Sequence, residues 1–385
     1  KKRNVKWFPL NDGGEVRKWY GNFQSFILWE NDGFAIRQHK SSVIRNPSYY
    51  FQKGATWNRI SSSFLAVRYL PEGFIFDQAG DSLFTSNDDD LFLMLGFINS
   101  IIGFNLMRIL SPTLNATAGS IEQFPYPAIC KDKISLIADR VKNLISYSTV
   151  NWDSYETSWD FSQNPIIRTQ QPNLEQAFNT WQQQNADAVA EMKRLEEENN
   201  KLFIDAYGLQ DEWTPDVPDE QITLTRADRE KDSQRLVFYA LGCMMGRYSL
   251  DEPGLIYAHA GNQDFDTSRY QTFPADADGI IPLTEMHWFE DDATHRIREF
   301  LAAVWGKDTL EANMLWLAES LDKKASETAE DTIRSYLASK FYKDHMQTYK
   351  KRPIYWLFSS GKQGAFQALV YLHRYNESTL ARMST

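Results

Sequence analysis

Two short strings in this sequence set hydrogen-bond donors, hydroxyls and aromatics side by side. The first is Lys53-Gly54-Ala55-Thr56-Trp57-Asn58-Arg59-Ile60-Ser61-Ser62-Ser63, continuing to Arg68-Tyr69. The second is Ser111-Pro112-Thr113-Leu114-Asn115-Ala116-Thr117-Ala118-Gly119-Ser120-Ile121. Short hydroxyl side chains and a glycine let donors approach phosphate oxygens closely, and arginine can read guanine bidentately in a major groove. The chemistry on offer is polyanion binding. The plain alternatives are a capped Ser/Thr turn for the first string and a helix-to-strand connector for the second.

Charge supports the first reading. The chain of 385 residues carries a formal net charge of −10, but the charge is segregated. Residues 1–70 hold twelve Lys/Arg against four Asp/Glu, and residues 332–385 hold nine against two. The stretch between them has 20 basic and 45 acidic residues. Asymmetry of this size marks a polyanion-binding surface or an uneven but ordinary solvated one.

Other chemistries lack their parts. No strand runs into a glycine-rich turn of the kind that brings backbone against a nucleotide or a methyl donor. Asn46-Pro47-Ser48-Tyr49 is near the Asn-Pro-Pro-Tyr loop of adenine amino-methyltransferases, but Ser holds the third position. It reads as a turn feeding a strand at Tyr49 to Phe51. Ser360-Gly361-Lys362-Gln363 departs from the phosphate-binding loop, with Trp356 where its first glycine belongs. His287 and His295 with Glu290, Asp291 and Asp292 between them form a weak cluster, and no metal is expected. Glu191-Met192-Lys193 and Asp322-Lys323-Lys324 match a nuclease fragment but read as solvated helix faces. No nucleophile–histidine arrangement has supporting context. Cys130 and Cys243 give no disulfide framework, which fits a reducing cytoplasm. The apolar runs Leu91 to Leu95 and Phe97 to Leu106 fall short of the ~18 residues of a membrane span, so no membrane partner is expected.

The elements that must position these strings follow from pattern. Residues 5–85 are β-rich, with glycines at the turns. Leu91 to Leu110 reads as one buried helix behind an acidic first turn, Ser86 to Asp90. A helix over 131–147 puts Ile134, Ile137, Val141 and Ile145 on one face. Leu174, Phe178, Trp181, Asn185, Ala188, Met192, Leu195, Asn199 and Leu202 then step by heptad spacing, with two polar layers at the asparagines. That seam suits an antiparallel partner within the chain or a coiled coil between chains. Beyond the acidic connector Asp211 to Glu220, helices are expected over 226–246, 291–305, 309–321 and 328–346. A strand over 353–359, a turn over 361–364 and a helix over 365–375 close the chain. The fold class expected is α+β, in three parts: a mixed domain over 1–130, a helical, coiled-coil-like spacer over 131–220 and a mainly helical domain over 221–385.

The Lys53 to Tyr69 string, with Trp19-Tyr20-Gly21-Asn22 and Trp29-Glu30-Asn31-Asp32-Gly33 before it, resembles the target-recognition region of the PglX family, adenine-specific DNA methyltransferases of BREX phage-defence systems. The Ser111-Pro112-Thr113-Leu114-Asn115 loop with Gly119-Ser120-Ile121 and Phe124-Pro125 resembles the end of that region. Lys351 to Lys362, then Tyr371 to Asn376, is similar to the family's C-terminus. More weakly, the recognition strings resemble those of type IIG enzymes and type I specificity subunits. The family's methyltransferase domain, with its cofactor and Asn-Pro-Pro-Tyr motifs, has no counterpart here, and the chain opens at Lys1-Lys2-Arg3. A C-terminal fragment is therefore expected, with no cofactor of its own and S-adenosylmethionine implied for the full-length relatives.

What the resemblance implies is recognition of double-stranded DNA for N6-adenine methylation. Lys40, Lys53 and Arg68 are expected on phosphates, and Arg45 is expected to contact the DNA. Arg59, Thr113 and Asn115 are expected on base edges, with Thr56, Trp57, Ser61, Ser62 and Thr117 beside them. Lys350, Lys351, Arg352, Lys362 and Arg374 would close the groove from the basic tail. Other BREX proteins and acidic DNA-mimic inhibitors are further partners the resemblance admits. The competing class is a non-enzymatic scaffold module of a defence complex, or a specificity-subunit-like DNA-binding protein.

Overall fold

The computed structural model describes residues 6–60, 64–111, 115–126, 129, 131–286, 288–361 and 366–383. The chain is α+β and divides into two compact units. The first comprises residues 1–152 and 187–225, the second 153–186 and 226–385. The segment 131–220 thus contributes to both. Among the described residues no single helix is long and apolar enough to cross a membrane.

Among the described residues six strands build two small sheets in the first unit: β1 (Trp7–Asn11), β2 (Ser25–Leu28), β3 (Gly54–Asn58), β4 (Val67–Leu70), β5 (Ile75–Phe76) and β6 (Gly80–Leu83). One sheet has the order β2-β1-β5, with β1 and β5 parallel. The other is antiparallel, β4-β3-β6, and puts Thr56 opposite both Arg68 and Ser82. β3 opens on Gly54 because nothing larger fits. A Cβ there would lie 2.5 Å from the Leu83 carbonyl oxygen. Residues 47–49 form a 3₁₀ turn rather than leading into a strand, and pairing begins only at Gly54.

The expected helix over 91–110 is two helices, Asp88–Ile98 and Ile101–Leu110, bent by 70°. The side chains at the break explain the bend. Asn99 Oδ1 accepts from the Val67 amide and its Nδ2 donates to the Val67 carbonyl, both at 2.9 Å. Ser100 then caps the second helix, accepting from Gly103 N. Apolar periodicity cannot register such a stop.

The heptad seam is consumed inside the chain. In the long helix Leu174–Tyr207, Leu174, Phe178 and Trp181 enter the core of the second unit. Met192 and Leu195 enter the core of the first, shared with Ile137, Val141 and Leu144 of the helix Lys131–Asp153. The asparagines of the two polar layers bond to backbone. Asn185 Oδ1 accepts from Ala227 N, and Asn199 Nδ2 donates to the Gly96 carbonyl at 2.8 Å.

That last hydrogen bond makes Gly96 a sensitive position. An added Cβ would sit 2.9 Å from Asn199 Oδ1, 3.1 Å from Val141 Cγ2 and 3.2 Å from Ile137 Cγ2. On helix propensity alone Gly96→Ala would gain up to ~1 kcal/mol. Overpacking a buried site costs ~1–3 kcal/mol, so net destabilisation of the first unit is expected. A lower urea midpoint is the readout, and an unchanged or higher one would show that the Asn199 layer yields.

The second unit gathers the helices Arg229–Met244, Ala293–Trp305, Leu310–Ser320, Ala329–Ser339 and Phe341–Thr348 on a core that includes Phe238, Phe300, Leu317, Ile333 and Phe341. The expected helix over 328–346 is therefore two. The final helix expected over 365–375 is instead β9 (Gln367–Tyr371), central in an antiparallel sheet with β7 (Ile280–Pro282) and β8 (Tyr355–Ser359) in the order β7-β9-β8. Ala368, Leu369, Val370 and Tyr371 are all buried. A strand covered on both faces is a continuous apolar run, which periodicity alone cannot tell from a buried helix.

Candidate nucleic-acid interface

The described parts of the two donor-rich strings, residues 53–60 with 64–69 and residues 115–121, meet in the first unit. The Trp57 indole N–H donates to the Ala116 carbonyl at 2.7 Å, and the Ala116 amide donates to the Arg59 carbonyl at 2.8 Å. Ile60 and Asn115 form an isolated antiparallel bridge. The hydroxyl string on β3 and the small-residue loop after the second helix thus meet at one sheet end.

Arg59 and Asn115 present themselves there. Asn115 is exposed and Arg59 half-buried. Arg59 neighbours Asp81, a carboxyl that burial pushes above its usual range and that Arg59 and the Ala118 amide pull back. Thr117 caps the short helix Ala118–Ile121, accepting from Ser120 N, so part of its capacity serves the loop. Lys40 and Arg45 are exposed and carry no ion pair among the described residues. Lys53 is tied to Asp88 at 2.6 Å. Ser61, Ser62, Thr113 and Lys362 lie outside the described residues, as does His287.

Four expected contacts are corrected by burial. Thr56 is wholly buried, its hydroxyl accepting from Asn11 Nδ2 at 2.7 Å and donating to the Asp81 carbonyl at 3.0 Å. Trp57 is 1 % exposed and holds Ala116 through its indole N–H. Arg68, also fully buried, donates to Asn58 Oδ1 at 2.9 Å, and burial lowers its pKa to about 10. Arg374 in the second unit is likewise 0 % exposed. A side chain with no solvent-facing surface and internal partners cannot reach a phosphate, so these four hold the fold.

In the second unit Lys350, Lys351 and Arg352 are exposed directly after the helix Phe341–Thr348. Lys350 and Lys351 take φ of 51° and 63°, left-handed values costly for side-chain-bearing residues. The Lys351 amide donates back to the Met346 carbonyl at 2.7 Å and closes the helix end. Three cations at a helix C-terminus also meet its negative dipole end.

Residue types alone did not reveal Lys18 and Glu196. Their ion pair spans 2.5 Å with both side chains 4 % exposed. Glu196 also accepts from the Trp19 indole at 2.7 Å. Glu196 belongs to the run Glu196-Glu197-Glu198, where the other two are half-buried, Glu197 accepting from the Val217 amide and Glu198 pairing with Arg140 and Arg194, and no local signal separates it from them.

No protein-family profile matches the chain. Two curated proteins do. The chain is 41 % identical over 412 aligned residues to an adenine-specific methyltransferase, BrxX, of Escherichia coli O9:H4 (strain HS), covering 100 % of this chain and 33 % of that protein. It is 39 % identical over 398 residues to an adenine-specific methyltransferase, PglX, of Lacticaseibacillus casei (strain Zhang), covering 100 % of this chain and 32 % of that one. The chain spans about a third of the length of both.

Proposed function

We propose that this chain, related along its whole length to about a third of the BrxX and PglX adenine-specific methyltransferases and consistent with their C-terminal part, recognises double-stranded DNA for an adenine-specific methyltransferase of BREX-type defence. The supporting observation is the convergence of Arg59 and Asn115 at one sheet end of the first unit, fixed by the Trp57–Ala116 and Ala116–Arg59 hydrogen bonds. Arg59 is the group suited to a guanine edge and Asn115 to an adenine edge. Lys40 and Arg45 supply phosphate contacts from the first unit, and Lys350, Lys351 and Arg352 from the second.

The junction of β6 with the helix Asp88–Ile98 offers the methyl donor of such enzymes no glycine-opened cradle. β6 enters the helix Asp88–Ile98 through Phe84-Thr85-Ser86-Asn87, and Asp88, Asp89 and Asp90 fill the first helical turn. No glycine opens the backbone to a ligand there, so no methyl-transfer step is assigned to this chain.

Duplex binding is measured across a salt series. Removing one cation that neutralises a phosphate should reduce the slope of log affinity against log salt by about one unit. Lys40→Ala and Arg45→Ala should flatten it and weaken all duplexes alike. Arg59→Ala and Asn115→Ala should each cost ~1–3 kcal/mol on a duplex selected from a randomised pool, and little on a scrambled one. Equal losses on both duplexes reject the base-reading assignment. A chain with no salt-dependent duplex affinity would be an interaction module instead.

A further inference from the structure

The first unit contains a cavity of about 270 Å³. Its lining includes the buried Lys18–Glu196 pair, Phe64, Ile101 and Phe104, and the exposed Asp216 and half-buried Gln221 place its rim toward solvent. At ~30 Å³ per water this is the room of about nine waters, enough for a single or fused ring.

The polar groups sort sharply by whether they have capacity left. Asn99, Ser100 and Asn200, which also line the cavity, are occupied with backbone partners. Glu196 spends one oxygen on Trp19 and the other on Lys18. The Lys18 ammonium has three donors. Among the described residues its Nζ makes one hydrogen bond, to Glu196, and otherwise lies 5.5 Å from the Phe64 ring centroid. A 3 % exposed lysine thus retains N–H groups facing a space walled by aromatics. At the rim, Asp216 accepts only, and Gln221 both accepts and donates.

Charge decides the class of ligand. Lys18 is neutralised by Glu196, and Asp216 leaves the lining with one excess negative charge. A phosphate or carboxylate would be repelled, whereas a neutral ring with an acceptor inward and an amino or ring N–H outward matches each group. Aromatic walls favour a planar ring. We propose that this cavity binds a neutral, planar, hydrogen-bonding heterocycle of the nucleobase class, with Lys18 donating to a ring nitrogen or carbonyl and Asp216 and Gln221 taking its outward donors. The site is independent of the duplex reading, since a chain with no duplex affinity would still bind the free ring.

Such a ring could come from a free base or nucleoside, or from a base displaced from a duplex. Calorimetry on the whole chain would use adenine, cytosine and adenosine, with inorganic phosphate as a competitor. Saturable binding with Kd below about 1 mM, unaffected by phosphate, is expected. Gln221→Trp fills the mouth without touching the Lys18–Glu196 pair and should weaken binding by roughly tenfold or more. Asp216→Ala, at an exposed position, should weaken it roughly threefold or more. A duplex with one unpaired base is then compared with its fully paired counterpart. A preference for the bulge that Gln221→Trp abolishes assigns the cavity to a displaced base, and binding of free rings without that preference assigns it to a free ligand. Failure of every free and unpaired base to bind, or binding unchanged in folded Gln221→Trp and Asp216→Ala, would overturn the proposal and leave a solvated cavity.

Discussion

Arg374→Ala should destabilise the second unit by about 4 kcal/mol, the scale expected when several charge-assisted bonds are removed at one buried site. The Arg374 guanidinium donates to Asn262 Oδ1 at 2.9 Å, to the Asp276 carbonyl at 2.7 Å and to the Ala277 carbonyl at 2.9 Å. Its centre stands 3.8 Å from the Phe265 ring centroid. Truncation removes every donor at once, leaves acceptors unmet and opens a cavity. Arg374→Met would keep much of the packing on Phe265 without the bonds, so its cost should fall between wild type and alanine. Arg374→Lys should recover little, because a single ammonium cannot reproduce the planar fork that reaches three acceptors. Urea unfolding of the three variants is the measurement. Stability unchanged in Arg374→Ala would return this residue to the surface role that its basic neighbourhood suggested.

The second large effect depends on pH. His345 is wholly buried, and its Nε2 accepts from the amides of Ile354 at 3.0 Å and Tyr355 at 3.2 Å. Nδ1 therefore carries the proton, and it has no partner among the described residues. Burial, reinforced by the charge of Arg247, pushes the pKa down to about 3. In the unfolded chain the ring titrates near 6.5. Between those values the unfolded state binds a proton that the folded state refuses, so stability rises with pH in that window. The contribution of His345 is complete above pH ~6.5 and is lost as pH falls toward 3, at up to ~1.4 kcal/mol per pH unit.

Other wholly or partly buried groups tilt the same curve. His373 is also lowered by burial and acts with His345. Glu156 is raised by burial, and Asp278 is raised to about 6 by burial and its neighbour Asp276; both act in the opposite sense, their contribution falling as pH rises. The difference between wild type and His345→Gln isolates the one group, because glutamine keeps an acceptor for the two amides and does not titrate. Between pH 6 and 4 the wild type should lose about 2.5 kcal/mol more stability than the variant. Parallel curves would mean that the folded chain protonates His345 as readily as the unfolded one.

Much of the architecture was legible from local pattern. The heptad steps from Leu174 to Leu202 specified one long helix, because a period near 3.6 needs only near neighbours. The acidic run Ser86 to Asp90 marked the entry of the helix that begins at Asp88. The two donor strings were visible as composition, and their meeting at Ile60 and Asn115 kept Arg59 and Asn115 together at one sheet end. What local pattern could not supply was burial and distant pairing. Arg68 and Arg374 have the same residue type as Arg59, and only tertiary partners as far as 51 and 112 residues away show them to be internal. The 367–371 segment is a strand because two other strands flank it, although its own residues suit a helix equally well. Lys18 and Glu196 lie 178 positions apart, and nothing near either one in sequence announces the other. Local spacing located the long helix over 174–207 and named the candidate donors. Which donors remain at the surface, and which are spent inside, was decided by packing, because desolvation depends on all that surrounds a group and not on its neighbours in sequence.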